Sequence, residues 1–259
     1  MATLHFPIMS DTKRLKLTIA YDGANYSGFQ LQPRDVTVQQ RVEEAFLALF
    51  PTPKRIHGSS RTDTGVHARG MVAHVDIPKS EWRMTPYKLR LALNAHLPED
   101  IRIPLVQAVP NSFHARFDAK GKQYRYYIWN HAAMDPLRRT QAWHVPKALD
   151  ADRMREAAAC FIGKKNFESF ANNRSYKMED YVRTLTRVDV RKEGPLFTVI
   201  IEGDGFLYKM CRGIVGTLAR VGEGKLEPRE IKVILKQRDR RVAGTTAPAH
   251  GLTLWKVFY

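Results

Sequence analysis

The amino-acid sequence predicts an α+β fold built mainly on antiparallel sheet. Strand-like and helix-like segments recur in both halves of the 259-residue chain. They do not follow the regular βαβ alternation that builds a parallel sheet. In the second half, two strand-like segments at 182–190 and 196–202 are joined by a turn at 192–195, as in an antiparallel hairpin. We therefore expect an antiparallel sheet with helices packed against it.

The first half contains the expected elements in a clear order. Alternating apolar and polar residues at 16–21 predict a first strand. Thr37 predicts a helix N-cap, with Gln40 in the position of a capping box, and Pro51 ends this helix. Apolar residues at helical spacing are expected to face the core: Val42, Ala45, Phe46 and Phe50. The further predicted elements are a strand at 71–77, a helix at 86–96, and strands at 101–109 and 123–129.

The second half repeats this style without a recognisable sequence repeat. Asp150 predicts the cap of a helix over 151–161, with Met154, Ala157, Ala158 and Phe161 facing inward. Helices are also predicted at 207–221 and 228–236, and a strand at 252–258. No low-complexity linker is visible, and 131–149 is the best boundary. We predict two lobes, residues 1–130 and residues 131–259.

The charge of the chain indicates a polyanionic partner. The sequence holds 42 Lys and Arg against 26 Asp and Glu, a net charge of +16. Residues 1–130 contribute 18 basic and 11 acidic groups, and residues 131–259 contribute 24 and 15. Basic charge spread through the whole chain is typical of nucleic-acid binding. A basic enzyme with no such partner is the alternative at this point.

Several classes of protein lack their usual sequence signals here. Only Cys160 and Cys211 are present, both in apolar helix-like stretches, so a disulfide framework is not expected. No run of about 18 apolar residues predicts a membrane span, and the N-terminus lacks the apolar core of a secretory signal. The histidines are scattered, and no glycine-rich nucleotide loop occurs, so neither a metal nor a nucleotide cofactor is expected. We expect a cytoplasmic protein.

The most unusual stretch is RTDTGVHA at 61–68. Asp63 lies in a loop of small residues, where Gly65 permits close approach of the chain to a ligand. Arg61 could keep the carboxylate ionised, and an oriented carboxylate can act as a base or a nucleophile. An Asp that caps a turn or pairs with a neighbouring Arg is the plain alternative.

Two further segments are candidates for substrate contact. On a strand, Tyr124 and Tyr126 share one face, which suits base stacking or, equally, an aromatic core. Lys209 and Arg212 are three residues apart on a predicted helix and should lie close together, with Lys209 available to the substrate. An Arg that extends from a packed helix to solvent is the alternative for Arg212.

Taken together, these residues resemble the bacterial tRNA pseudouridine synthase A family over nearly the whole chain. The RTDxGVHA string is highly specific, and the ordered set of motifs is more so. The shared motifs are YDG at 21–23 with Tyr26, Gly28, Gln30 and Gln32, TVQ at 37–39, RTDTGVHA at 61–68, FHAR at 113–116, YRY at 124–126, FESF at 167–170, MCRGIVG at 210–216 and TAPAHGL at 246–252.

The resemblance implies a two-lobed fold with an active-site cleft between the lobes, and isomerisation of uridine to pseudouridine at positions 38 to 40 of tRNA. It implies that Asp63 is the catalytic aspartate, that Arg212 pairs with it, and that Tyr124 stacks on the uracil. Arg61 is implied in base flipping and backbone contact, and Leu252 in an apolar wall. It further implies no cofactor or metal, and a homodimer across which one tRNA is bound through its anticodon arm and elbow.

Three other functions remain open from the residues. A non-catalytic RNA-binding module would use the same basic surface without needing an acid at Asp63. A glycoside hydrolase normally needs two carboxylates, and the loop around Asp63 has no acidic neighbour within several residues. A related pseudouridine synthase could act on a different RNA.

Overall fold

The computed structural model describes residues 11–172 and 180–259. Within these residues the chain forms one ten-stranded, mainly antiparallel sheet flanked by five α-helices, which confirms the predicted fold class. The elements in chain order are β1 (Thr12–Tyr21), α1 (Val38–Leu47), β2 (His57–Gly58), β3 (His67–Pro78), α2 (Pro86–His96), β4 (Ile101–Ala108), β5 (Gly121–Trp129), β6 (Trp143–His144), α3 (Ala151–Ala159), β7 (Gly163–Asn166), β8 (Val182–Glu193), β9 (Leu196–Gly203), α4 (Met210–Gly222), α5 (Glu230–Gln237) and β10 (Leu252–Phe258).

The last strand of the chain lies near the middle of the sheet. The strand order is β4-β1-β3-β10-β5-β9-β8-β7, with β2 paired to β3 and β6 paired to β5. β10 runs parallel to β3, with Thr253 opposite His67, and antiparallel to β5, with Leu254 opposite Tyr124. Strands from residues 1–130 and from residues 131–259 therefore belong to one continuous sheet, and the boundary between two lobes stays a prediction.

The first helix begins where the sequence predicts, but its capping box is only half formed. The Thr37 side chain accepts a hydrogen bond from the Gln40 backbone N–H at 3.3 Å. The Gln40 side chain does not reach back to the cap; it bonds to Glu44 one turn further along. The residues predicted to face the core are all buried: Val42, Ala45, Phe46 and Phe50 in the first half, and Met154, Ala157, Ala158 and Phe161 in the second.

The long helix of the second half begins later than its apolar pattern predicts. α4 starts at Met210, because Lys209 has a left-handed backbone conformation, with φ of 57°, and forms the N-cap. Lys209 is thus outside the helix, and the predicted helix start at residue 207 is wrong, while the closeness of Lys209 and Arg212 stays a prediction. Arg212 lies in the first turn of α4, the end of the helix that approaches the Asp63 loop.

Two negative findings apply to the part of the chain that the structure describes. No described helix is long and apolar enough to cross a membrane. Cys160 and Cys211 are both free thiols.

Candidate active site

The loop that carries Asp63 connects β2 to β3 and is fixed by close backbone packing. A turn closes it, with the Val66 N–H donating to the Asp63 carbonyl at 3.1 Å. The segment that follows β1 packs directly on this turn. A Cβ at Gly23 would overlap the Val66 carbonyl, and a Cβ at Gly28 would overlap that of Thr62. These two positions require glycine because nothing larger fits between the two loops.

The Asp63 carboxylate is held by an arginine from the other half of the chain. Arg212 Nη1 lies 2.8 Å from Asp63 Oδ2, and Arg212 Nε donates to the Ala247 carbonyl at 2.7 Å. The side chains are 21% exposed for Asp63 and 14% for Arg212. The carboxylate is therefore fixed in direction, yet it remains partly exposed.

Tyr124 provides a buried aromatic surface near this pair. It lies in β5 and packs edge-on against Phe206, with ring centroids 5.0 Å apart. Burial raises the pKa of Tyr124 well above its usual range, and the nearby charge of Asp63 acts in the same direction. Burial likewise raises the pKa of the Cys211 thiol, with Asp63 again adding to the effect. Both groups are therefore neutral at pH 7.

Ser60 contributes a buried hydroxyl to the same region. It lies near enough to Tyr124 to offset part of the rise in the tyrosine pKa. Its Oγ is nevertheless not aligned for a hydrogen bond with any described residue. A buried hydroxyl without a partner costs about 1–3 kcal/mol relative to a paired one. Such an atom is a candidate contact for a bound ligand.

Leu252 lies where β10 meets the start of β3. It is the first residue of β10, is 6% exposed, and faces Tyr126 across the strand pair. Its neighbour Thr253 lies opposite His67, four residues after Asp63. Leu252 therefore supplies apolar surface close to the Asp63 loop.

The other two predicted contact residues are not joined to the carboxylate. Arg61 is exposed and forms no hydrogen bond or ion pair with another described residue. Lys209 is half-buried, with its Nζ 4.8 Å from the centre of the Tyr208 ring. Of the two arginines considered for orienting Asp63, it is Arg212 that bonds to it.

His67 is a site residue whose role the residue patterns missed. It is buried, accepts a hydrogen bond from the Gly23 N–H at 3.0 Å, and lies 3.0 Å from the His250 carbonyl through Nε2. Its position in the RTDTGVHA string was the available signal, but no pattern indicated its partners. Phe206 begins the stretch 206–216 that also holds Lys209 and Arg212, but no pattern indicated that it packs against Tyr124.

The arrangement combines a fixed carboxylate, neutral buried groups and apolar walls. A carboxylate in such a place can attack a carbon atom or remove a proton. Apolar walls beside a reactive group in general limit the access of water to it. Among the described residues, no cluster of His, Cys, Asp and Glu is suited to hold a metal ion.

Comparisons with known proteins agree with this chemistry. A family model described as tRNA pseudouridine synthase matches residues 17–118 and 157–259. A tRNA pseudouridine synthase A of Brevibacillus brevis is 47% identical over 251 residues, covering 95% of this chain and 100% of that protein. Proteins of the same name from Geobacillus kaustophilus and Bacillus subtilis are 45% and 43% identical, covering 96% and 95% of this chain and 95% and 99% of theirs. In a crystal structure of a Cbf5-Nop10-Gar1 complex, one chain matches at 13% identity and a TM-score of 0.38, covering 93% of this chain and 48% of that one, too low to carry an argument.

Proposed function

The chain belongs to the tRNA pseudouridine synthase family, and from this premise we propose that it isomerises uridine to pseudouridine at positions 38 to 40 of the tRNA anticodon arm. One observation supports the assignment of the reaction to a particular site. The Asp63 carboxylate is fixed by Arg212 at 2.8 Å, remains partly exposed, and has neutral buried groups beside it.

The reaction breaks the bond between the uracil nitrogen and the ribose carbon, and a uracil carbon then bonds to the ribose. A proton leaves that uracil carbon and the released nitrogen takes one up, so no atom is gained or lost. Asp63 acts by attack on the uracil ring, by attack on the ribose carbon, or as the base in a route through a glycal. In all three routes water must be excluded while the base is detached, because hydrolysis would leave an abasic site.

We assign the surrounding residues to holding the base and the carboxylate. Arg212 holds and orients the Asp63 carboxylate. Tyr124 stacks on the uracil, and Leu252 closes the pocket with apolar surface. Removing the target base from its stack costs a few kcal/mol, and stacking on an aromatic ring offsets about 1–3 kcal/mol of this.

Arg61 and Lys209 contact the RNA in this proposal. The Arg61 guanidinium is exposed and unengaged among the described residues, so it is free to meet the RNA backbone as the base flips out. Lys209 directly precedes α4 and supplies a second cation beside the same site.

The basic charge of the chain then serves to hold the rest of the tRNA. With +16 distributed over both halves, phosphates of the anticodon arm and the elbow are the natural contacts. We further propose a homodimer in which one tRNA contacts both subunits. Its place of action is the cytoplasm, where such a substrate would be met.

The experiment that tests this function is site mapping of pseudouridine in tRNA. RNA from a strain lacking the gene is compared with RNA from the same strain carrying the wild-type gene. Loss of pseudouridine at positions 38 to 40, and its return with the gene, is expected. Loss at other RNA positions would indicate a related synthase with another target. Release of free uracil by the purified protein would indicate a hydrolase, and binding of tRNA with neither product would indicate an RNA-binding module.

A further inference from the structure

Residues 244–251, which precede β10, form a segment held by hydrogen bonds at several points along its length. We call it the closing segment. Its backbone carbonyls accept hydrogen bonds from three different structural elements. Arg212 Nε of α4 donates to Ala247 at 2.7 Å, and the Tyr126 hydroxyl of β5 donates to Pro248 at 2.8 Å. His67 of β3 contacts the His250 carbonyl through Nε2 at 3.0 Å.

The surroundings of His67 determine which of its nitrogens carries the hydrogen. Nδ1 lies 3.0 Å from both the Gly23 N–H and Asp22 Oδ1, so it either accepts from the first or, in a protonated ring, donates to the second. Nε2 faces only the His250 carbonyl, which is an acceptor. In both cases Nε2 therefore carries a hydrogen and donates it to the closing segment.

These contacts make a closed circuit around Asp63. The turn after Asp63 leads within four residues to His67, and His67 bonds to the closing segment. Three residues earlier, the closing segment accepts the bond from Arg212, and Arg212 bonds to the Asp63 carboxylate. The distance between carboxylate and guanidinium thus depends on how the closing segment lies relative to β3.

The closing segment is fixed tightly to α4 but by a single side chain to β3. A Cβ at Gly216 would overlap the Thr245 carbonyl, so α4 and this segment move together. The Ala247 N–H also donates to the Arg212 carbonyl at 3.0 Å. β10 first pairs with β3 at Thr253. Before that residue, the side-chain hydrogen bond that the structure describes between the closing segment and β3 is the one made by His67.

We propose that His67 is a positioning residue that sets the geometry of the Asp63–Arg212 pair through the closing segment. The inference rests on the proposed function, because it assigns His67 a part in the reaction at Asp63. Small displacements are sufficient for such an effect, since a shift of about 1 Å in a catalytic group can cost about 100-fold in rate.

Two substitutions at His67 separate its two bonds. The amide nitrogen of Gln extends to about the position of Nε2, whereas that of Asn reaches only the position of Nδ1. We expect His67→Gln to keep kcat within about threefold of the wild type, and His67→Asn to lower kcat about tenfold or more with KM changed less than about twofold. His96→Gln and His96→Asn, at an exposed position near the end of α2, are the matched controls.

The melting temperature distinguishes positioning from plain structural support. Wild-type kcat in His67→Asn would overturn the inference. Equal losses of kcat in His67→Gln and His67→Asn, in proportion to their losses of melting temperature, would also overturn it. If His67→Asn does not fold, His67→Met, which reaches as far as the Nε2 position but has no donor there, takes its place, and a kcat lowered about tenfold at unchanged KM is expected. Wild-type kcat in that variant would then overturn the inference. Asp63→Asn is run alongside, because full activity there refutes the proposed function itself, whereas activity in His67→Asn alone refutes only the role of His67.

Discussion

His74 gives a quantitative prediction for the pH dependence of stability. This residue lies in β3, is 2% exposed, and accepts a hydrogen bond from the Ala115 N–H through Nδ1 at 3.2 Å. Burial lowers its pKa to about 4, and the nearby Arg14, His114 and His57 act in the same direction. Only the carboxylate on the same strand, two residues further on, opposes this effect. The ring is therefore neutral in the folded protein at pH 5.

The sign and size of the effect follow from the difference in the pKa of His74 between the folded and the unfolded chain. Between pH 6.5 and pH 4 the unfolded chain binds a proton at His74 while the folded chain does not. Stability from this residue is thus fully present above pH 6.5 and is lost as the pH falls toward 4. At pH 5, a pKa of about 4 against 6.5 in the unfolded chain corresponds to a loss of about 2 kcal/mol.

Urea unfolding at pH 7.5 and pH 5 measures this loss directly. His74→Asn keeps an acceptor for the Ala115 N–H but cannot titrate. Its packing cost is present at both pH values and cancels when they are compared. We expect the decrease in unfolding free energy between the two pH values to be about 2 kcal/mol smaller in His74→Asn than in the wild type. His96→Asn, which removes an exposed histidine, should retain the wild-type pH dependence. Equal pH dependence in the wild type and His74→Asn would show that protonation of His74 does not destabilise the folded protein.

Three further predictions concern the site and the RNA surface. Arg212→Lys keeps the charge but cannot bond to Asp63 and the Ala247 carbonyl together. The lost charged hydrogen bond is worth about 1.5–3 kcal/mol, so we expect kcat to fall about 10- to 100-fold. The affinity for tRNA, measured by filter binding, should be unchanged. Ser60→Ala removes a buried hydroxyl that has no aligned partner among the described residues. The free protein should therefore be as stable as the wild type, or more stable, in urea unfolding. In catalysis, kcat/KM should fall if Ser60 pairs with the substrate. The logarithm of tRNA affinity should decrease linearly with the logarithm of salt concentration, and a flat response would contradict binding through phosphates.

The sequence patterns located the larger elements well because those elements carry local periodicity. α2 and β10 have the predicted bounds, and the Thr37 cap is in place. The two-residue strands β2 and β6 are too short to show any alternation. The insertion of β10 between β3 and β5 is a pairing between distant parts of the chain, which no local pattern reports. Lys209 was predicted to lie in the helix because the apolar spacing extends beyond the start of α4. Its left-handed φ, which ends the helix there, cannot be predicted from the sequence.

The site was predicted residue by residue, but its connections were not. Asp63 and Arg212 are 149 residues apart, so spacing could not join them, and only the family resemblance paired them. The link from His67 to the closing segment goes to a backbone carbonyl, an acceptor that every residue has. Side-chain identity therefore gives no information about such a bond, and it became visible only in the folded chain.

Asp63 is the residue to which we assign the isomerisation, and the substitution that tests this assignment is Asp63→Asn. The substitution keeps the size of the side chain and removes its charge, with Arg212 still able to donate a hydrogen bond to the amide oxygen. Pseudouridine formation in purified tRNA and the affinity for the same tRNA are measured together. We predict that pseudouridine formation is abolished while tRNA affinity is retained. Unchanged turnover in Asp63→Asn would contradict it.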